Sequence, residues 1–393
     1  MNAPKLRFKE FNDEWCLKTL NELYTFKNGI NGDRTQFGKG IKFISVSDIL
    51  NNNYITYDKI KGLIDIDEKT LLENSVEFGD ILFQRSSETR KDIGMSNVYL
   101  DSKLSTFGGF VIRGKKNKDN KNNPSFINYL LRSQTVRKDI VFRGAGAQHY
   151  NIGQEDLKKV SINIPSLVEQ NRISYLLELL DKKIELQSKK IEDLKLLKKG
   201  LIDAEFTNSN YDEISLKNIL KERKLYSEKG LEYPHVTLSK NGIYDKEERY
   251  NRDFLVKSED KKYKITHLND LCYNPANLKF GVICLNEYGS AIFSPIYVTF
   301  EINSIANPKY IKYYTTRNNF INAIRKYEQG TVYERMAVAP EDFLKFNIKL
   351  PDIETQNKIV LKLAKLDKKI LLEENKLYKL QELKKGLMQK MFV

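Results

Sequence analysis

Cysteine, histidine and tryptophan are scarce in this 393-residue chain, which holds three, three and one of them. Cys16, Cys272 and Cys284 are odd in number and lack CxxC spacing. Buried free thiols are therefore expected, not a disulfide frame or a metal site. His149, His235 and His267 stand apart, and none pairs with another at ligand spacing. Metal-dependent or histidine-driven catalysis has little to work with. No apolar run approaches the ~20 residues that a bilayer-crossing helix needs, and the opening MNAPKLRFKEF lacks the apolar core of a secretory leader. The expected location is the cytoplasm. A Gly-rich strand–turn–helix for a nucleotide or methyl-donor cofactor is also missing, so no cofactor is expected.

What is present is enough apolar material for real cores: 40% of the residues, with 22 Tyr and 20 Phe. The length exceeds one ordinary core, so two or more domains are expected. The net charge is +14, which suggests an anionic partner. Residues 1–164 carry 26 basic against 20 acidic side chains, and residues 207–350 carry 22 against 18. Two mildly basic globular units suit contacts to phosphates. A lysine-rich composition without any such function would give the same excess.

The chain is organised around a repeated helix. From Pro165 to Phe206, apolar residues fall at Ile173, Leu177, Leu180, Ile184, Ile191, Leu194 and Leu201. Steps of four and three describe the seam of a coiled-coil helix, a stripe that must be buried against another helix. The partner lies 186 positions on, from Pro351 to Phe392, where 19 of 42 aligned residues are identical. There the seam recurs as Ile359, Leu363, Leu366, Ile370, Leu377, Leu380 and Leu387, and both copies break it at Gln187/Glu373 and Lys198/Lys384. A repeat kept in register over a whole helix implies two equivalent halves, each a globular unit followed by a long helix. Paired antiparallel, helices of this length make a rod of about 60 Å, a spacer between the units.

The repeat extends beyond the helices. Trp15–Leu23 and Glu213–Leu220 read as short amphipathic openings, and Ile41–Ile49 and Tyr233–Ser239 as matching β runs. Val76–Phe83 matches Leu268–Tyr273 with Asn269 in place of Gly79, and Ser105–Ile112 matches Ser294–Phe300. Pro124–Leu131 and Pro308–Tyr314 then predict helices opened by proline. Arg113–Asn123 is expected to be a mobile charged loop. Ser166 and Glu169 predict a capping box at the first long helix; in the second, Asp352 takes the cap and Thr355 replaces the glutamate. Pro351-Asp352 with Glu374-Asn375-Lys376 mimics a nuclease metal pattern, yet both ends fall on one helix, so coincidence is the better reading. Asn274-Pro275-Ala276-Asn277 likewise lacks the aromatic residue that an amino-methyltransferase loop stacks on a flipped base.

Two Gly-containing loops close the units, Arg143–Ile152 and Gln329–Val338. Arg143, Gln148, His149 and Tyr150 in the first, and Tyr333, Glu334 and Arg335 in the second, are side chains able to read base edges or phosphates. Ordinary surface turns would look the same. Arg85, Arg90 and Lys91 form a further basic turn. These loops differ between the halves while the helices do not, as two readers of different sequences on one frame would.

The whole chain resembles a specificity subunit of type I restriction–modification systems. The resemblance rests on two units, each closed by an I-P-x-x-x-E-Q-x-x-I-type segment. These are Ile164-Pro165, Glu169-Gln170 and Ile173, then Leu350-Pro351, Gln356 and Ile359, with a departure at Thr355. Gly79-Asp80-Ile81-Leu82 and the loop glycines Gly144 and Gly330 also fit. The fold expected is α+β: target-recognition domains at 1–164 and 207–350, alternating with helices at 165–206 and 351–393 that pair as an antiparallel coiled coil. The resemblance implies a non-catalytic subunit whose partners are double-stranded DNA, methyltransferase subunits (two of them) and restriction subunits, with no membrane involved. Arg85, Arg90, Lys91, Arg143, Gln148, His149, Tyr150, Lys279, Tyr333, Glu334 and Arg335 are the candidate DNA-binding residues. The rival readings are a stand-alone methyltransferase or nuclease, and a coiled-coil adaptor without DNA.

Overall fold

The structure, a computed structural model, describes residues 3–146, 149–207, 210–228, 232–246, 262–329 and 336–393. It forms two compact units, one of Met1–Ser188 with Asn375–Val393 and one of Lys189–Glu374. The long helices, Leu167–Phe206 and Ile353–Lys390, are each continuous and contribute a part to both units.

In the first unit the strand Cys16–Thr19 pairs antiparallel with Ser161–Ile164, just before the first long helix. A four-stranded antiparallel sheet follows in the order Tyr24–Asn28, Val111–Lys116, Ile81–Gln84, Ser96–Val98. Apolar residues from one face of it, among them Phe26, Ile81, Phe83 and Ile112, pack with Phe126, Leu130 and Ile140 of the helices Pro124–Arg132 and Gln134–Arg143. Proline opens the first of these helices, and Asn123 caps it by accepting the Phe126 amide at 3.0 Å. The second unit repeats this plan. Asp212–Ser215 pairs with Asn347–Leu350, and the sheet order is Leu220–Glu222, Val298–Ile302, Leu271–Tyr273, Ile283–Leu285. Its helices are Pro308–Thr315, capped by Asn307, and Asn318–Ile324.

One turn shows how closely the copies follow each other. Gly79 has φ +89°, and Asn269, which replaces it, has φ +71°, the one positive-φ residue other than glycine among those described. Asparagine is among the few residues that tolerate this left-handed region. The aspartate that follows, Asp80 or Asp270, is buried in both units.

The second sheets are not copies. The first unit has Gly62–Ile64, Phe37–Ile44 and Thr106–Phe107, the last pair parallel. The second has Tyr226–Ser227, Tyr263–Thr266 and Ala291–Phe293, all antiparallel, beside a separate hairpin of Val236–Ser239 with Gly242–Asp245. The expected match of Ile41–Ile49 to Tyr233–Ser239 therefore fails. The first strand stops at Ile44, because Ser45 and Asp48 cap a helical turn over Val46–Leu50. Arg113–Asn123 is not a mobile loop either. Its first residues extend the sheet strand, Arg113 is buried with its guanidinium on the Ser75 carbonyl, and Asn120 and Asn122 are hydrogen-bonded.

The seam positions divide evenly between buried and half-buried. Ile173, Leu177, Leu180 and Ile191 of the first long helix are buried, as are Ile359, Leu363 and Ile370 of the second. Ile184, Leu194, Leu201, Leu366, Leu377, Leu380 and Leu387 are half-buried. Fully burying one such side chain is worth about 1.5–3 kcal/mol. The lysine breaks are explained by ion pairs. In the first unit Lys384 binds one oxygen of Asp181, while Tyr129 donates to the other at 2.8 Å. In the second, Lys198 binds Asp367, and Tyr313 donates to its other oxygen at 2.7 Å. Each lysine also stands over its tyrosine ring, at 5.6 and 5.5 Å. In the second unit Lys190–Glu373 and Lys362–Glu205 continue the series, numbers rising on one helix as they fall on the other. The helices run antiparallel.

The helix starts carry the Gln of the I-P motif inward. Gln170 accepts the Asn123 amide at 2.9 Å and donates to the Pro165 carbonyl at 2.9 Å; Gln356 does the same with Asn307 and Pro351 at 2.7 and 2.8 Å. The capping box is only half formed. Ser166 accepts the Glu169 amide at 3.4 Å, but the Glu169 carboxylate is held at 2.7 Å by both Nε and Nη2 of Arg7. A bidentate charged pair outcompetes a box bond to a backbone amide. Asp352 caps the second helix as expected, accepting the Thr355 amide at 2.9 Å.

Candidate nucleic-acid interface

In the first unit the sheet strand Ile81–Gln84 ends at Arg85, and the closing loop returns beside it. Arg85 receives the Ile152 amide on its carbonyl and donates its own amide to Phe110, at 3.1 and 2.9 Å. Ser86–Ser87 then pairs antiparallel with Tyr150–Asn151. A β-bridge between Ala145 and Asn151 closes the loop at its base. Arg85, His149 and Tyr150 are thus brought to one edge, with Arg85 and His149 exposed and Tyr150 half-buried. The Arg85 guanidinium donates to the Gly109 carbonyl at 3.3 Å, beside Phe110, which is 70% exposed. Gly109 has no room for a side chain, since a Cβ would lie 1.9 Å from Asn31 Oδ1. Phe110 escaped the sequence reading; an aromatic after two glycines was the available signal.

The basic turn is tied to the same region. Arg90 and Lys91 are exposed on a helical turn, Arg90–Asp92. Arg137 holds that turn by donating to the carbonyls of Lys91 and Ile93 at 2.9 and 2.7 Å. Gly94, at φ +62°, lets the turn press on helix Gln134–Arg143; a Cβ there would meet Ile140 Cγ2 at 2.5 Å. Arg143 is placed differently. It pairs with Asp139 at 2.9 Å one helical turn away and is half-buried, so its charge is spent locally.

The second unit has the same loop base, a bridge between Gln329 and Ala337. Tyr333, Glu334 and Arg335 lie outside the described residues, as does Gln148. Lys279 sits on the turn Pro275–Phe280, its ammonium 5.3 Å from the ring of Phe280, which is exposed. Asn274 caps that turn by accepting the amides of Ala276 and Asn277, so Asn-Pro-Ala-Asn has a structural use. The nuclease-like pattern dissolves too. Asp352 is a helix cap, and Glu374, on the same helix, pairs with Lys195 at 2.7 Å. Twenty-two residues of helix separate the two carboxylates by about 33 Å, too far to share an ion. Cys272 and Cys284 are buried and Cys16 exposed. Burial pushes the Cys272 thiol up to about 12, far from a reactive thiolate. No helix among the described residues is long and apolar enough to cross a membrane.

Two basic, loop-bearing units on one repeated helix frame narrow the comparison with known proteins. Residues 12–196 match the type I restriction modification DNA specificity domain. Over that stretch, somewhat under half of its length, the chain is similar to the type I restriction–modification specificity family. A type I restriction enzyme MjaX specificity subunit of Methanocaldococcus jannaschii is 26% identical over 220 residues, 55% of this chain. The chain spans about half, 51%, of that relative's length. The fold is shared along the whole chain with the crystal structure of the type I restriction–modification S subunit from M. genitalium. That likeness has a TM-score of 0.58 at 15% identity, covering 100% of this chain and 99% of that one. A structure described for complex assembly and conformational transition of the type I R-M system gives a TM-score of 0.56 at 14% identity, covering 95% and 96%.

Proposed function

We propose that the chain is the DNA-recognition subunit of a type I restriction–modification complex. Each unit reads one half of an asymmetric, bipartite site in double-stranded DNA. The antiparallel helices set the spacing between the halves and dock two methyltransferase subunits, which bring the methyl donor; restriction subunits complete the assembly in the cytoplasm. The chain itself catalyses neither methylation nor cleavage. One observation carries this reading. The four-stranded sheets, the caps and the Tyr–Asp–Lys triads are copied between the units, while the second sheets are not.

A surface feature supports two equal docking sites. On the first unit's part of the helices Tyr175, Leu186 and Leu383 are exposed, at 60%, 59% and 52%; on the second's, Leu361, Leu372 and Leu197, at 57%, 52% and 53%. These sets correspond position by position, 186 apart. Along each helix they recur every eleven residues, three turns, and so share one face. Large apolar side chains this exposed serve the chain alone poorly and suit a partner covering each unit the same way.

The test is a map of methylated positions made by the assembled complex. Exchanging residues 1–160 for those of a relative is expected to change one half-site only. Inserting one helical turn into Gln187–Lys190 is expected to keep both half-sites and alter their spacing by one or two base pairs, since about 5.4 Å of helix compares with about 3.4 Å per DNA step. A unit exchange that alters both halves would overturn the modular reading. Methylation by the purified chain alone would overturn its non-catalytic role.

A further inference from the structure

Each unit has a cationic cavity at the same place in its fold, and the charges come from different chain positions. In the first, a cavity of about 240 Å³ is lined by Asn51, Asn52, Asn53, Met95, Arg132 and Arg137. In the second, a cavity of about 300 Å³ is lined by Lys240, Lys279, Phe280, Thr316, Ile321 and Asn322. Thr316 and Ile321 stand 184 positions after Arg132 and Arg137, as Tyr313 stands after Tyr129. The helix residues therefore correspond, but the second unit takes its cations from a strand turn and the Pro275–Phe280 turn.

The arginines are under-used where they stand. Arg132 donates from Nε and Nη2 to the carbonyls of Ser96 and Asn52, at 3.1 and 3.2 Å. Arg137 gives Nη2 to two carbonyls, while its Nη1 is buried without a partner. Neither guanidinium forms an ion pair among the described residues; their direct partners are neutral carbonyls, and the carboxylates of Asp181 and Asp92 act on them only at longer range. Burial lowers the pKa of both, that of Arg137 to about 10, the mark of cations short of a counter-charge. Lys240 and Lys279 likewise have no ion pair or side-chain hydrogen bond among the described residues.

We infer that each cavity holds one backbone phosphate of the bound DNA, clamped by Arg132 and Arg137 in the first unit and by Lys240 and Lys279 in the second. This rests on the DNA-recognition reading above. A phosphodiester oxygen presents the diffuse negative charge and paired acceptors that a guanidinium fork or two ammonium groups fit. Continuity favours DNA over an acidic protein segment: Arg137 already grips the turn bearing Arg90 and Lys91, and Lys279 follows directly from the sheet strand Leu271–Tyr273. Each clamp fixes register without reading sequence, which explains why its place is kept while its residues change.

The test uses the full chain and a mixed-sequence duplex, titrated between about 50 and 200 mM salt. Arg137→Gln in one unit, or Lys240→Gln with Lys279→Gln in the other, is expected to flatten the dependence of log K on log salt by about 0.9, the contribution of one phosphate. A variant pair that keeps the wild-type slope overturns the phosphate sites and leaves DNA recognition standing. Wild-type chain that shows no salt-dependent binding overturns the recognition reading itself. An unchanged slope together with lost methyltransferase assembly assigns the cavities to an acidic partner group instead. Should Arg137→Gln melt early because its turn is released, the lysine variants decide, since no described hydrogen bond depends on them.

Discussion

The four-stranded sheet of the first unit can be laid on that of the second strand by strand, and even Gly79 finds its left-handed counterpart in Asn269. The three-stranded sheets cannot be matched in this way. One contains a parallel pair, between Phe37–Ile44 and Thr106–Phe107, and the other is antiparallel throughout with an added hairpin. The sheet that carries the helices is held in place by the caps, glutamines and triads that bind it to the frame. The sheet that does not touch this machinery was free to be rebuilt. Position relative to the helix pair separates what is copied from what varies.

This comparison can be broken most forcefully at the seam. Leu177 and Leu363 occupy equivalent, fully buried places. Leu177→Asp or Leu363→Asp puts an unpaired charge in a core and is expected to cost upwards of about 4 kcal/mol, by about the same amount in each unit. Chemical denaturation measures both; one severe and one mild loss would mean the frame is not shared equally.

A smaller effect separates the two buried aspartates. Asp270 is gripped by Arg223 at 2.9 and 3.0 Å, whereas Asp80 accepts only the amides of Glu77 and Lys116, at 3.0 and 2.9 Å. Burial lifts the pKa of Asp80 to about 6, above the value of about 3.9 for an unfolded chain. The folded state thus keeps its proton longer. Stability from this group is present below about pH 4 and lost as pH rises through about 6, by up to about 3 kcal/mol. Asp80→Asn is expected to lack that slope when melting is followed from pH 4 to 7; an unchanged slope would place its origin elsewhere.

The triads come next. Asp181→Asn and Asp367→Asn remove one ion pair each from partly buried settings and are expected to cost about 1–3 kcal/mol. The two losses should match in size. The smallest effect concerns the turn. Gly79→Asn is expected to cost under about 1 kcal/mol and Asn269→Gly to gain a few tenths, while Gly79→Val should cost clearly more because β-branched residues resist positive φ. Equal losses for asparagine and valine at position 79 would show that conformation is not the constraint.

Much of the frame was legible because it is written locally. Heptad steps, proline and asparagine at helix starts, and a Gly-to-Asn exchange all carry their own geometry. The second sheets were not, since a strand's composition does not name its partner across the chain, and Ile41–Ile49 hid a capped helical turn behind β-rich residues. Arg7 on Glu169 was also invisible, joining residues 162 positions apart. At the candidate interface the basic turns were picked out by charge alone. Arg132 and Arg137 were passed over because they look like ordinary helix-surface cations, and their shortage of partners shows only in three dimensions.

The division of the long helices has a consequence for how the protein is made. The second unit, Lys189–Glu374, is continuous in sequence, so a ribosome can deliver it whole. The first begins earlier but lacks Asn375–Val393 until all of the second has been synthesised. Those late residues are no ornament: Phe392 packs on Trp15 and Phe126, with ring centroids 6.5 and 5.7 Å apart, and the Lys390 carbonyl receives the Leu6 amide at 2.9 Å. The half translated first must therefore finish last. Until then its side of the seam stays open, a window for chaperones to hold it and for proteases to find it.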